Sequence, residues 1–479
     1  MQSRILVAAM ACALAWPAVA VAENPNDARL AAELAALREQ VAQLKATYES
    51  RIASLEEKLS IASQRDAHEP PPPAQAVAQA APAPAPAVSP PGSAPVTRSS
   101  PTAFNPEVSL ILQGAYKSRK SVEERHVGGF VTPGHGHDED EHGDDKRGFA
   151  LDHSEIVIAA NIDPNFRGQA TLAVLDGEVE LEEAWFQTTA LGHGVGLKAG
   201  RFLSGIGYLN DQHAHQWDFF DQPLMYKVLF GEHGYTPDGV QAKWVAPLET
   251  FVELGAEAGR GQNFPGDDRD IDGFNSVALF AHVGDDIGVS HSWRAGLSWL
   301  QTRADARESH FESETFGETH GAFFGRSRVW IADFVYKWAP DGNPTRRNFK
   351  LQAEYFQRRE SGHLTATDED GHDLGVSPWR TRQHGYYVAG VYQFTPNWRA
   401  GLRYDRLASG RQSLGDNPAD IDIVSWQPRR FSAMVDYNWS EFSRLRLQWA
   451  RDRAMPGITD NQVTLQYVMS LGSHGAHKF

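Results

Sequence analysis

Residues Asn461 to Phe479 read NQVTLQYVMSLGSHGAHKF, and this stretch decides the fold. From Val463 to Leu471 every second side chain is apolar, and the positions between them are polar except at Val468. A period of two residues indicates a β-strand with one apolar and one polar face. The sequence then reaches the aromatic Phe479, in phase with the apolar face. This pattern is typical of the closing strand of a membrane β-barrel, and it also fits the last strand of a soluble sandwich.

Composition restricts how such a chain can meet a membrane. The 479 residues are 41% hydrophobic. Beyond the N-terminal segment, no run reaches the roughly 20 apolar residues that a spanning helix needs. A membrane protein of this composition therefore has to be a barrel, because only helices and closed barrels satisfy the backbone in lipid. The net charge of −16 argues against nucleic acid as a partner and favours cations. The only cysteine is Cys12, so we expect no disulfide framework.

Three segments of distinct composition precede the strand pattern. Residues 1–22 combine a basic start, an apolar run and a small-residue cleavage site, which predicts a secretory signal peptide. Residues 23–68 carry apolar side chains at heptad spacing with one stutter, which predicts a homotypic coiled coil in the periplasm. Residues 69–103 are rich in proline and alanine, which predicts an extended spacer.

Residues 104–479 alternate in short stretches separated by turn residues. They yield about 16 candidate strands of roughly ten residues, the length that a tilted membrane strand needs. The connections alternate between short turns and longer segments, as in outer-membrane barrels. The longer segments are Lys117–Gly148, Ser204–Gly239, Gly261–Asn275, Arg303–Gly325, Arg359–His384 and Ala408–Arg429. We therefore predict an all-β fold, a transmembrane antiparallel β-barrel in the bacterial outer membrane with its N-terminal segment in the periplasm.

The predicted barrel favours passive diffusion of a solute over catalysis or energised uptake. Barrels of this size leave an aqueous channel, whereas the larger barrels of energised transporters are plugged. The sequence shows no globular plug segment before the strands. It also shows no nucleophile elbow, HExxH or P-loop pattern in a suitable context, so we predict no enzyme.

The first long connection carries the run GHGHDEDEHGDD over Gly134–Asp145. Imidazole and carboxylate are ligands for Zn²⁺ and similar ions, and the intervening glycines let a backbone wrap an ion. A solvated acidic loop is the alternative interpretation. The candidate metal ligands are His135, His137, Asp138, Glu139, Asp140 and His142.

The connection Ser204–Gly239 carries His213 and His215. It is the third on its side of the predicted barrel, and in wide barrels a long third loop folds inward and narrows the pore. An inward fold would make His213 and His215 a second metal station, although ordinary loop hydrogen bonds would also explain them. More histidines fall in or beside external loops without defining a site, namely His310, His320, His363, His372 and His384.

Strand alternation also predicts which polar side chains line the pore. An arginine row facing carboxylates would set a transverse field, and arginines alone would favour anions. Salt bridging that merely keeps the lumen wet is the alternative. The predicted lining residues are Arg399, Arg403, Arg444, Arg446, Gln448, Glu253 and Glu257.

Several motifs between residues 104 and 479 resemble one family in their order. They include FNPEVSLILQGAY, ANIDPNFRGQATLAV, VELEEAWFQT, KAGRFLSGIGYLN, HAHQWDFFDQPL and DGVQAKW. Together they resemble the zinc-regulated outer-membrane porin family of proteobacteria, akin to phosphate-selective porins O and P and often labelled zinc-regulated TonB-dependent receptors. The resemblance implies expression linked to zinc limitation, passage of zinc or a zinc complex, and a trimer.

The sequence thus favours a porin-like channel that takes up divalent metal, with Zn²⁺ captured on external loops and no required cofactor. The expected partners are outer-membrane lipid, divalent metal ions and two further copies joined through the coiled coil. Three alternatives stay open: an anion or general solute porin, an energised TonB-dependent metal receptor, and a structural protein that contacts the cell wall.

Overall fold

The computed structural model describes residues 106–122, 125–132, 147–175, 178–267, 269–270 and 272–472. The predicted signal peptide, coiled coil and spacer lie outside these residues. So do Phe479 and the first-loop candidates His135, His137, Asp138, Glu139, Asp140 and His142.

Strands make up most of the described chain, and all of their pairings are antiparallel. The strands are β1 (Glu107–Ser118), β2 (Gly148–Leu151), β3 (Ser154–Asp163), β4 (Phe166–Leu175), β5 (Glu178–Thr188), β6 (Val195–Arg201), β7 (Asp238–Val245), β8 (Phe251–Gly259), β9 (Ser276–Ile287), β10 (His291–Ser313), β11 (Gly317–Trp338), β12 (Asn348–Asp368), β13 (Asp373–Gln393), β14 (Trp398–Ser413), β15 (Arg429–Ser440), β16 (Ser443–Arg453) and β17 (Asp460–Gly472).

The sheet closes on itself. Each strand from β3 onward pairs with the next, and β17 pairs with β1 over ten positions from Ser118↔Val463 to Ser109↔Gly472. The short strand β2 and the strand β3 pair with different parts of β1, so they share one position in the wall. The 17 strands therefore make a barrel of 16 strand positions, which confirms the predicted fold and excludes a two-sheet sandwich.

Alternation explains which side of the wall each residue occupies. In β16, Leu447 and Trp449 are 52% and 40% exposed, whereas Arg446 and Gln448 are 1% and 4% exposed. The same period holds around the barrel and produces an outer band of exposed apolar side chains. Members of this band on other strands include Val240, Leu254, Leu279, Leu297, Trp330, Tyr355, Val388, Leu402, Val435 and Leu465.

Two predicted loops are wrong. The segments Arg303–Gly325 and Arg359–His384 are strand apart from a short hairpin turn in each, because β10 to β13 run for 23, 22, 21 and 21 residues rather than about ten. Their inner faces bury a second apolar cluster together with the β14–β15 connection. This cluster consists of Ala304, Phe323, Leu364, Ala366, Trp379, Leu414, Ala419 and Ile421. The outer faces there are polar, so the amphipathic signature of a membrane strand is missing from the sequence.

The described chain contains one α-helix, α1 (Leu224–Phe230), which the sequence did not predict. Pro223 precedes its first turn, and Gly231 ends it with a φ of 79°. Six of its seven side chains are buried, so it shows no polar face from which a helical period could be recognised. Across the part of the chain that the structure describes, no helix has the length and apolar character needed to cross a membrane.

Residues 202–237 join β6 to β7 and fold into the barrel, and we call them the inward segment. Its apolar side chains, including those of α1, pack on the inner wall as one core. The segment contributes Ile206, Leu209, Phe219, Leu224, Met225, Tyr226, Val228, Leu229, Phe230 and Tyr235, and the wall contributes residues such as Phe280, Ile331, Phe356, Tyr387 and Leu407. The inward segment therefore occupies part of the lumen at this level.

Candidate metal site and lumen wall

Two strands bring glutamates to one region of the inner wall. Glu155 is the second residue of β3 and is fully buried. In β5, both Glu182 and Glu183 turn inward, because a β-bulge interrupts the pairing with β4. Thr171 pairs with Glu183 and Leu172 pairs with Leu181, so Glu182 is the extra residue. Regular alternation would have sent one of the two glutamates outward.

The inward segment places His213 and His215 against these glutamates. Their rings stack with centroids 5.9 Å apart. His213 Nδ1 lies 3.5 Å from Glu155 Oε2 and 3.5 Å from Glu182 Oε2. His215 Nδ1 lies 2.9 Å from Glu155 Oε1 and therefore orients that carboxylate. All four side chains are largely buried.

The group of Glu155, Glu182 and His213 has the geometry of a metal site. Bonds of roughly 2.0–2.2 Å in a tetrahedral shell separate neighbouring ligand atoms by roughly 3.3–3.6 Å, which matches both 3.5 Å distances. Among the described residues, neither Glu155 Oε2 nor Glu182 Oε2 has a hydrogen-bond partner. His213 Nε2 lies 3.0 Å from Glu183 Oε2, and a carboxylate on the far nitrogen is how proteins orient a metal-binding histidine.

A second group shares Glu182. His153, at the break between β2 and β3, brings Nε2 to 2.8 Å from Glu182 Oε1. His233 of the inward segment brings Nδ1 to 3.9 Å from the same oxygen. In each group, three ligand atoms lie within 4.8 Å of one another. Glu182 therefore offers one oxygen to each group, and the two candidate stations are adjacent.

The electrostatics of the cluster favour a positive charge at His213. Burial by itself lowers the pKa of this imidazole. The carboxylates of Glu155, Glu182 and Glu183 outweigh burial and raise the pKa of His213 well above its usual value. Without metal, the cluster therefore holds a proton at the position where a metal ion would bind.

The predicted pair His213 and His215 thus lies in the lumen, but the two residues differ in position. His213 belongs to one three-ligand group, and His215 contacts it through Glu155. Sequence reasoning missed the four wall residues His153, Glu155, Glu182 and Glu183. The adjacent glutamates in VELEEAWF, which break the alternation of β5, were the available signal.

The predicted lining arginines lie on the inner wall, and each contacts the inward segment or a neighbouring aspartate. Arg399 forms ion pairs with Asp218 at 2.9 Å and with Asp436 at 2.8 Å. Arg403 reaches Asp405 at 3.0 Å and Asp221 of the inward segment at 3.1 Å.

The polar residues of β16 also contact the inward segment and a neighbouring aspartate. Arg446 binds Asp436 at 2.8 Å, and Arg444 donates to the carbonyl oxygen of His215 at 2.9 Å. Gln448 donates to Asp221 at 2.8 Å. The row therefore holds the inward segment against the wall, with aspartates matching the arginine charges.

The two predicted glutamates lie on β8 and have different partners. Glu253 contacts His282 at 3.0 Å and Lys243 at 3.8 Å. Glu257 is buried and accepts hydrogen bonds from Ser204 Oγ at 2.5 Å and from the Gly205 amide at 2.9 Å. Glu257 thus fixes the start of the inward segment.

Comparisons with known proteins found no matching family model. The fold is similar to that of OmpTdeltaL8, a loop L8 deletion mutant of the Vibrio cholerae outer membrane protein OmpT, at 12% identity over 77% of this chain and 99% of that one, with a TM-score of 0.45. It is also similar to the outer membrane channel DcaP of Acinetobacter baumannii, at 12% identity over 77% and 97% of the two chains, with a TM-score of 0.44. An uncharacterized protein of Aquifex aeolicus (strain VF5) is 32% identical over 416 residues, which cover 81% of this chain and 83% of that protein. This chain and the Aquifex aeolicus protein therefore belong to one family.

Proposed function

We propose that this protein is a porin-like channel of a bacterial outer membrane that takes up a divalent metal ion, with Zn²⁺ as the first candidate. The observation that carries the proposal is the cluster of histidines and glutamates inside a closed barrel. The proposal has three parts: a membrane location, a metal as the solute, and a path that passes the inward segment.

The outer surface supports the membrane location. Its exposed apolar side chains form a band of the kind that faces lipid. Aromatic rings also cluster at the end with the short turns. Trp398 and Tyr437 are 4.8 Å apart, Tyr437 and Trp439 are 5.0 Å apart, and Trp439 and Tyr467 are 6.2 Å apart. Aromatic girdles of this kind occur at membrane–water boundaries.

The ligand types support a divalent cation that is intermediate between hard and soft, such as Zn²⁺. Imidazole nitrogen combined with carboxylate oxygen suits Zn²⁺, whereas Ca²⁺ and Mg²⁺ prefer sites made only of oxygen. Two residues that are not in the three-ligand group orient its members: Glu183 contacts His213, and His215 contacts Glu155. Such supporting contacts are typical of an ordered metal site. Glu182 belongs to both three-ligand groups, so an ion could pass from one group to the other without leaving protein ligands.

The lumen arginines give little support to an anion channel. An anion filter needs positive charge that is available to the solute. Here Arg399, Arg403 and Arg446 form ion pairs with aspartates of the wall or of the inward segment. We infer that these arginines hold the inward segment in place.

The test is zinc entry into vesicles that contain a zinc-sensitive dye. The double variant Glu155→Gln, Glu182→Gln keeps side-chain size but removes both charged ligands. We expect its zinc entry to fall by at least about tenfold, while its potassium conductance in planar bilayers stays that of the wild type. The matched control is Glu253→Gln, which removes a lumen carboxylate that also contacts a histidine. Equal zinc entry in the double variant and the wild type would refute the metal assignment.

A further inference from the structure

The hairpin of β10 and β11 extends far beyond the apolar band. Trp299 and Trp330 lie opposite each other at the edge of the band, with ring centroids 6.3 Å apart. The charged pair Arg303 and Arg326 follows. His310 lies roughly 24 Å further along the strand, at about 3.4 Å per residue. This part of the hairpin stands at the same end of the barrel from which the inward segment enters.

The outer face of this extension brings two histidines together. His310 and His320 are direct cross-strand partners, and their ring centroids are 4.8 Å apart. Glu318 lies beside them, with its Oε1 atom 3.5 Å from His310 Nδ1. The His310 and Glu318 side chains are 50% and 54% exposed, so an ion from solution can reach them.

The neighbouring pair on the same face consists of two like charges. Glu312 lies directly opposite Glu318. Like charges at directly opposed positions destabilise an antiparallel pair. Within the described chain, neither glutamate forms an ion pair with a lysine or an arginine. A cation at this position would therefore relieve the repulsion and also meet two imidazoles.

We propose that His310, His320 and Glu318, with Glu312 alongside, close on a divalent transition metal ion on the external surface. Among the described residues, only the two lumen groups bring three ligand atoms within 4.8 Å of one another, so the exposed side chains of the hairpin rotate to meet the ion. Two imidazoles and a carboxylate suit Zn²⁺ and Ni²⁺. The other ligand positions of the ion face solvent, so the site exchanges its metal rapidly. Metal binding at this surface site does not require that the protein transports metal. Only the further idea that the site collects ions for the lumen cluster rests on the proposed function.

The test is amide hydrogen exchange of the hairpin in the purified full-length protein, with and without Zn²⁺. An ion that bridges β10 and β11 slows the local opening of residues 306–322. At roughly 100 times the dissociation constant, we expect roughly 100-fold slower exchange of amides that exchange by this opening. The double variant His310→Ala, His320→Ala should lose this effect.

The matched control is His363→Ala. His363 also lies on the outer face of an extended strand, but it stacks on Phe324 at 5.1 Å and has Phe324 and Pro378 as cross-strand partners. We expect zinc to protect the hairpin in this variant as in the wild type. The variant Glu155→Gln, Glu182→Gln should also keep the protection, which separates this site from the lumen cluster. Zinc protection that is absent from the wild type, or that persists in the double histidine variant, would overturn the proposal.

Discussion

Glu182 is the one residue shared by the two candidate metal-binding groups. Its two carboxylate oxygens lie in different three-ligand groups, one with His213 and one with His153 and His233. Glu183 follows it in sequence but acts differently, because it contacts the far nitrogen of His213. Under the proposed function, the two neighbouring glutamates have separable roles, Glu182 as a ligand and Glu183 as a positioning residue.

The first prediction compares these two residues by zinc titration calorimetry. Glu183→Gln should weaken binding at the His213 group by about 10- to 100-fold and leave the His153 group intact, because it removes only the partner that orients His213. Glu182→Gln should weaken both groups. If Glu183→Gln binds zinc as the wild type does, the orienting role assigned to Glu183 is wrong.

The second prediction concerns pH. Because the pKa of His213 is raised, this residue is protonated near neutral pH, and zinc must displace its proton. Zinc affinity should therefore increase with pH, by about tenfold per unit for one released proton, until the raised pKa is passed. Calorimetry in two buffers of different ionisation enthalpy counts the released protons. An affinity that is flat between about pH 6 and about pH 8 would contradict the assignment.

The stability of the metal-free protein should change with pH in the opposite sense. A histidine whose folded-state pKa is raised stabilises the fold at low pH and loses that contribution as pH rises through the raised value. Without zinc, the inward segment should therefore loosen on the alkaline side. With zinc bound, the ion replaces the proton, and we expect this loosening to disappear.

At the scale of elements, the inward segment is fixed by buried acceptors on the wall. Glu354 of β12 accepts hydrogen bonds from the amides of Tyr208 and Leu209 at 3.0 and 3.2 Å. It also accepts from the hydroxyls of Tyr226 and Tyr387 at 2.9 and 2.6 Å. One carboxylate thus ties the start of the segment, α1 and β13 together.

The third prediction is that Glu354→Ala loosens the segment without opening the barrel. Each buried donor left without a partner costs about 1–3 kcal/mol. Amides of the inward segment should exchange faster, and single-channel conductance should rise, while the strand amides stay protected. Glu354→Gln keeps one acceptor oxygen and should have a smaller effect. Unchanged exchange in Glu354→Ala would show that apolar packing alone holds the segment.

The extended hairpins are a separate element with their own core. Trp379 is 3% exposed, donates to Glu360 at 3.2 Å and packs on Phe311 at 5.9 Å between ring centroids. The fourth prediction is that Trp379→Ala costs about 3–5 kcal/mol locally, as expected for a buried tryptophan. Exchange should accelerate in the outer halves of β10 to β13 and stay unchanged in β1 and β17. Faster exchange throughout the barrel would mean that the two cores unfold together.

At the scale of the whole molecule, closure of the barrel and packing of the inward segment inside it are structurally independent. Every barrel pairing joins wall strands, and the inward segment contributes to none of them. The ends of the segment also lie close together, because the Ser204 amide donates to the Tyr235 carbonyl at 3.0 Å. A short linker can therefore replace the part between them.

The fifth prediction uses this geometry. Replacing residues 206–233 with a short glycine–serine linker should leave a closed barrel with a much larger conductance, and it should abolish zinc binding by the lumen cluster, since His213 and His233 are removed. Planar-bilayer recordings and zinc titration check the two results, and circular dichroism checks the strand content. A conductance equal to that of the wild type would mean that the solute path avoids the inward segment.

Local sequence patterns determined the wall of this protein. Alternation assigns Leu447 and Arg446 to opposite faces, and turn residues mark one end of the barrel, because both signals depend only on neighbouring residues. Only the tertiary structure decided the interior. The bulge at Glu182, the path of the inward segment and the meeting of His153 with His213 depend on packing between residues far apart in sequence. The outer halves of β10 to β13 were missed for the same reason, since their inner faces are covered by the β14–β15 connection and their outer faces meet water.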